Sequence, residues 1–110
     1  MPEEPRWTTV ARARELAPGQ RKLVQVAGKW IALFHLVEGW FAIDNACPHA
    51  GGSLFEGTLK DTVVTCPWHF WPFDLRTGRN PVITSLRTDI FPVRVVGDEV
   101  QVQDRASNAQ

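Results

Sequence analysis

The sequence holds few residues of several types that would point to a function. Its 110 residues include two cysteines, three histidines, one methionine and no tyrosine. Twelve basic residues balance twelve acidic ones, so the formal net charge is zero. A chain without excess charge has no bulk electrostatic attraction for nucleic acid or for a membrane surface. We therefore expect neither nucleic acid nor a membrane among its partners.

Long apolar runs are also missing. No window approaches the roughly 18 apolar residues that a candidate membrane-spanning helix shows. Residues 1–5 are acidic and polar, without the apolar stretch of a secretion signal. We expect a soluble, cytoplasmic protein. At this length it should form a single domain, and we expect it to work as a monomer.

The few cysteines and histidines are placed regularly. Cys47 is followed two residues later by His49, and Cys66 three residues later by His69, which gives the spacing C-x-H-x16-C-x-x-H. Two short loops therefore each offer one thiolate and one imidazole. The remaining histidine, His35, lies in an apolar run far from both loops, and we expect it to be a hydrogen-bonded strand residue.

Three kinds of site use this set of side chains. A disulfide would leave the matched histidines unexplained, and nothing at the N-terminus marks the chain for an oxidising compartment. Structural zinc is often held by two cysteines and two histidines, but zinc fingers usually keep both cysteines in one knuckle. An iron–sulfur cluster with two cysteines on one iron and two histidines on the other suits mixed loops. The spacing favours the cluster and leaves zinc as the alternative.

Three segments around these positions carry a specific pattern, namely residues 47–52 (CPHAGG), 66–69 (CPWH) and 73–78 (FDLRTG). Together they closely resemble the Rieske ferredoxin family, whose members serve bacterial Rieske-type oxygenase systems. By the order of its elements, the resemblance extends from about Trp7 to Val102.

The resemblance implies one [2Fe–2S] cluster. Cys47 and Cys66 would be thiolate ligands of one iron, and His49 and His69 would be ligands of the other. It also implies that Pro81 belongs to a loop that forms a third wall of the site.

Patterns of β-forming residues between turn signals predict an all-β protein. The expected strands cover residues 7–13, 23–26, 30–37, 40–43, 62–65, 73–75, 91–96 and 99–102. The run at 30–37 is almost wholly apolar, which indicates a strand covered on both faces. We also expect Trp7, Trp30 and Trp40 to lie in the core.

The resemblance adds the Rieske iron–sulfur domain fold, an antiparallel β-sandwich or barrel base with a small inserted cluster-binding subdomain. We expect the base to comprise residues 6–43 and 84–103, the subdomain residues 44–83, and residues 104–110 a disordered tail.

The chain lacks groups that high-potential family members carry, and its second cysteine loop departs from the usual family pattern. High-potential members carry a linking disulfide at the positions of Gly52 and Trp68, and hydroxyl groups at those of Trp71 and Phe73. Their absence predicts a low potential, near the bottom of the Rieske range of about −150 to +300 mV. Phe70 stands where the family normally has glycine, so either it packs as core or it forms part of a docking patch for an electron partner.

The resemblance implies a one-electron carrier without catalytic residues, which relays electrons from a flavin reductase to a terminal oxygenase. One alternative is a subunit similar to the small subunit of assimilatory nitrite reductase. A second alternative is a zinc-stabilised interaction domain, which would be colourless.

Overall fold

The computed structural model describes residues 5–48, 52–68 and 70–108, and it confirms the all-β class. Within these ranges the chain forms ten strands and two short 3-10 helices: β1 (Trp7–Arg12), a 3-10 helix (Ala13–Glu15), β2 (Arg21–Val26), β3 (Lys29–Leu36), β4 (Gly39–Asp44), a second 3-10 helix (Leu54–Glu56), β5 (Thr58–Lys60), β6 (Val63–Thr65), β7 (Pro72–Asp74), β8 (Ile90–Phe91), β9 (Val93–Val96) and β10 (Glu99–Gln103). None of the described residues forms a helix long and apolar enough to cross a membrane.

The strands of the described ranges form three antiparallel sheets. The first has the order β1-β10-β9, the second β2-β3-β4-β8 and the third β5-β6-β7. Pro92 separates β8 from β9 where the sequence predicts one continuous strand, because proline has no N–H to donate to a ladder. The short strand β5 was not predicted from the sequence.

Strand β3 is buried on both faces, as its apolar run predicts. Ile31 and Leu33 belong to one buried cluster of side chains, while Ala32 and Phe34 belong to a second. Successive side chains of a strand point to opposite faces, so one strand contributes to both cores. The first core includes side chains of the first two sheets, and the second core contains both cysteines and residues of the third sheet.

Arg21 of β2 joins the second sheet to the segment that follows the first cysteine loop. Its guanidinium donates hydrogen bonds to the carbonyl oxygens of Phe55 (2.8 Å) and Gly57 (2.7 Å). The same guanidinium lies over the ring of Phe34, 5.2 Å from its centroid. Because Phe55 and Gly57 lie more than 30 residues away along the chain, no local sequence pattern indicates these hydrogen bonds.

The predictions for His35, Trp40 and Trp30 have different outcomes. His35 is a hydrogen-bonded strand residue, as predicted: its Nδ1–H donates to the carbonyl oxygen of Leu16 at 2.6 Å, and its ring stacks on Trp40 at 3.9 Å between centroids. Trp40 packs against the first core. Trp30, however, is 54% exposed and is not a core residue. It follows the β2–β3 turn, and its outward side is left uncovered.

The expected disordered tail differs from the structure over residues 104–108, while residues 109–110 lie outside the described ranges. The side-chain oxygen of Asn108 accepts the Ile90 N–H at 3.0 Å, and its amide donates to the Thr88 carbonyl at 3.0 Å. The Ser107 N–H donates to the Ile90 carbonyl at 2.9 Å. The polar composition predicted a disordered tail, but in the structure its polar groups form hydrogen bonds with Ile90, the first residue of β8, and with Thr88 in the preceding loop.

Candidate metal centre

The first cysteine loop follows β4 and closes back on itself. The Asp44 carboxylate accepts the Ala46 N–H at 2.9 Å, and the Cys47 N–H donates to the Gly52 carbonyl at 2.8 Å. Ala46 and Ser53 also form an isolated antiparallel bridge. These bonds fix the backbone at Ala46 and Cys47.

Asn45 braces the same loop through its side chain. Its amide donates to the Ser53 hydroxyl at 3.0 Å, and its carbonyl oxygen accepts the Phe55 N–H at 2.8 Å. Sequence reasoning missed this residue, although asparagine at a loop start often bonds nearby backbone groups.

The second cysteine lies at the end of the β6–β7 hairpin. Val64 pairs with Phe73, and the Cys66 N–H donates to the Trp71 carbonyl at 2.8 Å, which extends the pairing beyond β6. Trp71 is partly buried and packs against the second core. Trp71 therefore serves as a core residue.

The third segment of the pattern is a tight turn after β7. The Asp74 carboxylate accepts from the Arg76 guanidinium at 2.8 Å, and this hydrogen bond is the main reason that the pKa of Asp74 is lowered. Gly78 has φ +76°, and a Cβ there would lie 2.3 Å from the Thr88 carbonyl oxygen. Glycine is thus required at this position by both backbone angle and space.

The structure brings Cys47 and Cys66 together in the second core. Both are buried free thiols, so a disulfide between them is not present. Burial raises the pKa of the Cys66 thiol; the Trp68 N–H opposes this by a hydrogen bond, and the neighbouring Cys47 side chain raises the pKa further. A Cys66 thiolate is therefore disfavoured without a nearby positive charge, and a metal ion would supply that charge.

The two loops touch at Gly52 and Trp68. A Cβ on Gly52 would lie 3.0 Å from the Cys66 sulfur and 3.1 Å from the Trp68 ring. The positions that the resemblance matches to linking cysteines are therefore adjacent in space.

Other predicted residues have mixed outcomes. His49 and His69 lie outside the described residues. Pro81 is exposed, in a turn where the Asn80 side chain accepts the N–H groups of residues 82 and 83, both at 2.9 Å. Sequence reasoning missed Asn80, although an Asn-Pro pair is a signal for a turn.

Phe70 takes a left-handed backbone conformation, with φ +58°. This is the region that favours glycine and that other residues occupy at a penalty of about 1–2 kcal/mol. Phe70 therefore occupies a backbone conformation that glycine, the usual residue of the family pattern, would adopt without this penalty. The side chain is 76% exposed, so it is not part of the core.

Two buried thiols, delivered side by side by neighbouring loops of a small β-domain, supply two ligands suited to a metal centre. The model of the Rieske [2Fe–2S] domain family matches residues 6–102, and the chain belongs to that family. The domain binds a [2Fe–2S] cluster with two cysteine and two histidine ligands. The buried pair of free thiols fits the cysteine half of this ligand set.

Relatives agree with this assignment. The ferredoxin component of biphenyl 2,3-dioxygenase from Rhodococcus jostii (strain RHA1) is 35% identical over 98 residues, covering 86% of this chain and 90% of the relative. A chain in the solved complex of reduced oxygenase and oxidized ferredoxin of carbazole 1,9a-dioxygenase superposes with a TM-score of 0.84 at 29% identity, covering 94% of this chain and 97% of that one.

A putative NADH-dependent nitrite reductase small subunit from Mycobacterium tuberculosis superposes with a TM-score of 0.85 at 27% identity, covering 94% and 99% of the two chains. The curated relatives include several ferredoxin components of dioxygenase systems. The protein is accordingly an electron carrier and not a catalytic subunit.

The strain at Phe70 yields a stability prediction. Asparagine tolerates the left-handed region better than other residues with a Cβ, so Phe70→Asn should raise the free energy of unfolding by about 0.5–1 kcal/mol. Urea unfolding followed by tryptophan fluorescence measures this at matched iron content. Val82→Asn is the control, because Val82 is equally apolar and 85% exposed but is not among the residues with positive φ. An equal change in both variants would contradict the strain argument.

Proposed function

We propose that the protein relays single electrons from a flavin-dependent reductase to a terminal oxygenase, with Cys47, His49, Cys66 and His69 as the cluster ligands. The observation that carries the proposal is the burial of the two cysteine thiols side by side at the ends of neighbouring loops. When bound, a [2Fe–2S] cluster supplies reversible one-electron oxidation and reduction. Because a flavin reductase would draw on reducing equivalents of the cytoplasm, we place the protein there.

The chain's own residues provide a dry, rigid surrounding for this chemistry. Leu54, Val64 and Phe73 are fully buried and lie in the same core as the two cysteines. An apolar shell of this kind limits solvent access, and so influences the reduction potential. The Trp68 N–H donates to the Cys66 sulfur, which stabilises negative charge on that atom.

The ligand set is tested on anaerobically purified protein. We expect two irons and two acid-labile sulfides per chain, as the cluster formula requires, and an EPR signal that appears only on reduction. Cys66→Ser and His69→Ala should lose the cluster. His35→Gln, which removes a histidine outside both loops, should keep it. A colourless protein with bound zinc would contradict the proposal and restore the zinc alternative.

We further infer a low reduction potential. Phe73, at one of the positions where high-potential members carry a hydroxyl, is fully buried in the cysteine core. It therefore contributes hydrocarbon where a donor would stabilise the more negative, reduced state. Trp71, at the other such position, carries an indole and no hydroxyl.

Protein-film voltammetry should place the midpoint near the lower end of the Rieske range, about −150 mV. Phe73→Tyr should raise it, by an amount on the order of 50 mV if the new hydrogen bond favours the reduced state by about 1 kcal/mol. Phe41→Tyr, at the margin of the same core, is the control and should leave it unchanged. A wild-type midpoint in the upper half of the range would defeat the argument.

We also propose that the partners dock on the second cysteine loop. Trp68 and Phe70 flank His69 in sequence and are 56% and 76% exposed. Exposed aromatic side chains are favoured at the cores of interfaces. Their position next to a ligand would place a partner within a short distance of the cluster.

Pairwise stopped-flow assays with flavin reductases and terminal oxygenases of the source organism test the relay. We expect rapid reduction by one reductase and rapid reoxidation by one oxygenase. Phe70→Asn should slow at least one of these bimolecular steps about tenfold while the EPR spectrum stays unchanged, since loss of a central aromatic contact removes on the order of 1–2 kcal/mol. Val37→Asn, an exposed apolar residue on the β3–β4 turn, should have no effect.

A second function is supported by the similarity to the nitrite reductase small subunit. Such a subunit would exchange electrons with a nitrite reductase large subunit and not with an oxygenase. Including that large subunit in the same assays separates the two functions, because only one of the acceptors should reoxidise the protein rapidly.

A further inference from the structure

We propose that Trp68 is a positioning residue that holds the two cysteine loops together and shields the Cys66 sulfur from water. The inference rests on the proposed function only in taking Cys66 as a cluster ligand. It concerns a non-covalent link at the two positions where high-potential members of the family carry linking cysteines.

The first contact of Trp68 lies within its own loop, the second cysteine loop. The backbone N–H of Trp68 donates a hydrogen bond to the Cys66 sulfur. The Cys66 N–H is itself bonded to the Trp71 carbonyl at 2.8 Å. The backbone from Cys66 to Trp71 is therefore held at both ends, and the Trp68 side chain projects from a fixed point.

The second contact of Trp68 is with Gly52 of the first cysteine loop. Carbon atoms Cγ and Cδ2 of the Trp68 ring would lie 3.1 and 3.2 Å from a Cβ on Gly52, so the indole rests on the glycine backbone. The Gly52 carbonyl accepts the Cys47 N–H at 2.8 Å. A continuous series of contacts thus joins Cys66, Trp68, Gly52 and Cys47.

Gly52 leaves room for the Cys66 sulfur and the Trp68 ring. It is buried, and it is absent from the glycines with positive φ, so its backbone angle does not call for glycine. A Cβ there would lie 3.0 Å from the Cys66 sulfur and 3.1 Å from the Trp68 ring. A side chain at this position would therefore require the sulfur or the ring to move by a few tenths of an ångström.

Burial in a core does not explain Trp68. More than half of its surface is exposed, at 56%, and it belongs to neither buried cluster. The contact that it does make is with the other cysteine loop. An aromatic ring in this place excludes water from a sulfur atom that would otherwise lie close to the surface.

The experiment uses four variants of the full chain: Trp68→Ala, Trp68→Phe, Gly52→Ala and Trp30→Ala. The last is a matched control, since Trp30 is a tryptophan of nearly equal exposure on the β2–β3 hairpin. Iron release to a chelator is followed by loss of visible absorbance. We expect release to be about tenfold faster for Trp68→Ala and Gly52→Ala, nearly unchanged for Trp68→Phe, and unchanged for Trp30→Ala.

Alkylation of the cluster-free protein by iodoacetamide gives a readout independent of the cluster. Mass spectrometry should show faster modification of Cys66 in Trp68→Ala, beyond what a urea unfolding curve of the same variant explains. The midpoint potential of the loaded variant should shift upward, because water near the cluster favours the more highly charged reduced state. The double variant Trp68→Ala/Gly52→Ala should change the rates of iron release and alkylation by less than the product of the two single effects, since both substitutions disturb the Trp68–Gly52 contact.

Equal rates of iron release and of Cys66 alkylation in Trp68→Ala and Trp30→Ala would overturn the proposed role of Trp68. Failure of Trp68→Phe to restore the wild-type rates would also overturn it, because the proposed role needs an aromatic ring. If the wild-type protein binds no cluster, the proposed ligand set fails, and the alkylation rates still decide the role of Trp68.

Discussion

The two-sided burial of β3 is the constraint on which the rest of the structure depends. A strand whose alternate side chains enter two cores cannot slip by one residue without exchanging the contents of both. Ile31 and Leu33 hold the base, and Ala32 and Phe34 support the core with the two cysteines. The site is thereby built against a strand whose register is fixed, which is the kind of support that a precise metal site needs.

The cysteine loops show why such support is necessary. Both cysteine side chains lie in an apolar core, where burial raises the pKa of the Cys66 thiol and so favours its neutral form. A metal centre reverses this preference, because coordination requires thiolates and supplies the opposing charge. The backbone N–H groups of Cys47 and Cys66 are both hydrogen-bonded, to the carbonyl oxygens of Gly52 and Trp71. The fold therefore holds both cysteines in position for such a centre.

Sequence reasoning succeeded where the signal is local. The two cysteines that the spacing pairs lie in one core, and the apolar run identified β3. It failed where a residue's role depends on partners distant in the chain. The Arg21 bonds to Phe55 and Gly57 leave no local pattern, and the pairing of Asn108 with Ile90 reversed the expectation drawn from a polar tail. The ligand role of the histidines, which the family implies, stays a prediction from spacing and resemblance.

The second cysteine loop breaks local rules that the rest of the chain obeys. Phe70 occupies a backbone region that favours glycine, and Trp68 and Phe70 expose large apolar surfaces beside a buried thiol. Folding explains neither choice, because a glycine would relieve the strain at position 70 and a polar residue would be better solvated. Strain that the fold does not need is characteristic of functional sites. For Trp68 we infer an explanation within the chain, in its contact with Gly52; for Phe70 we propose one outside the chain, in a partner that docks on it.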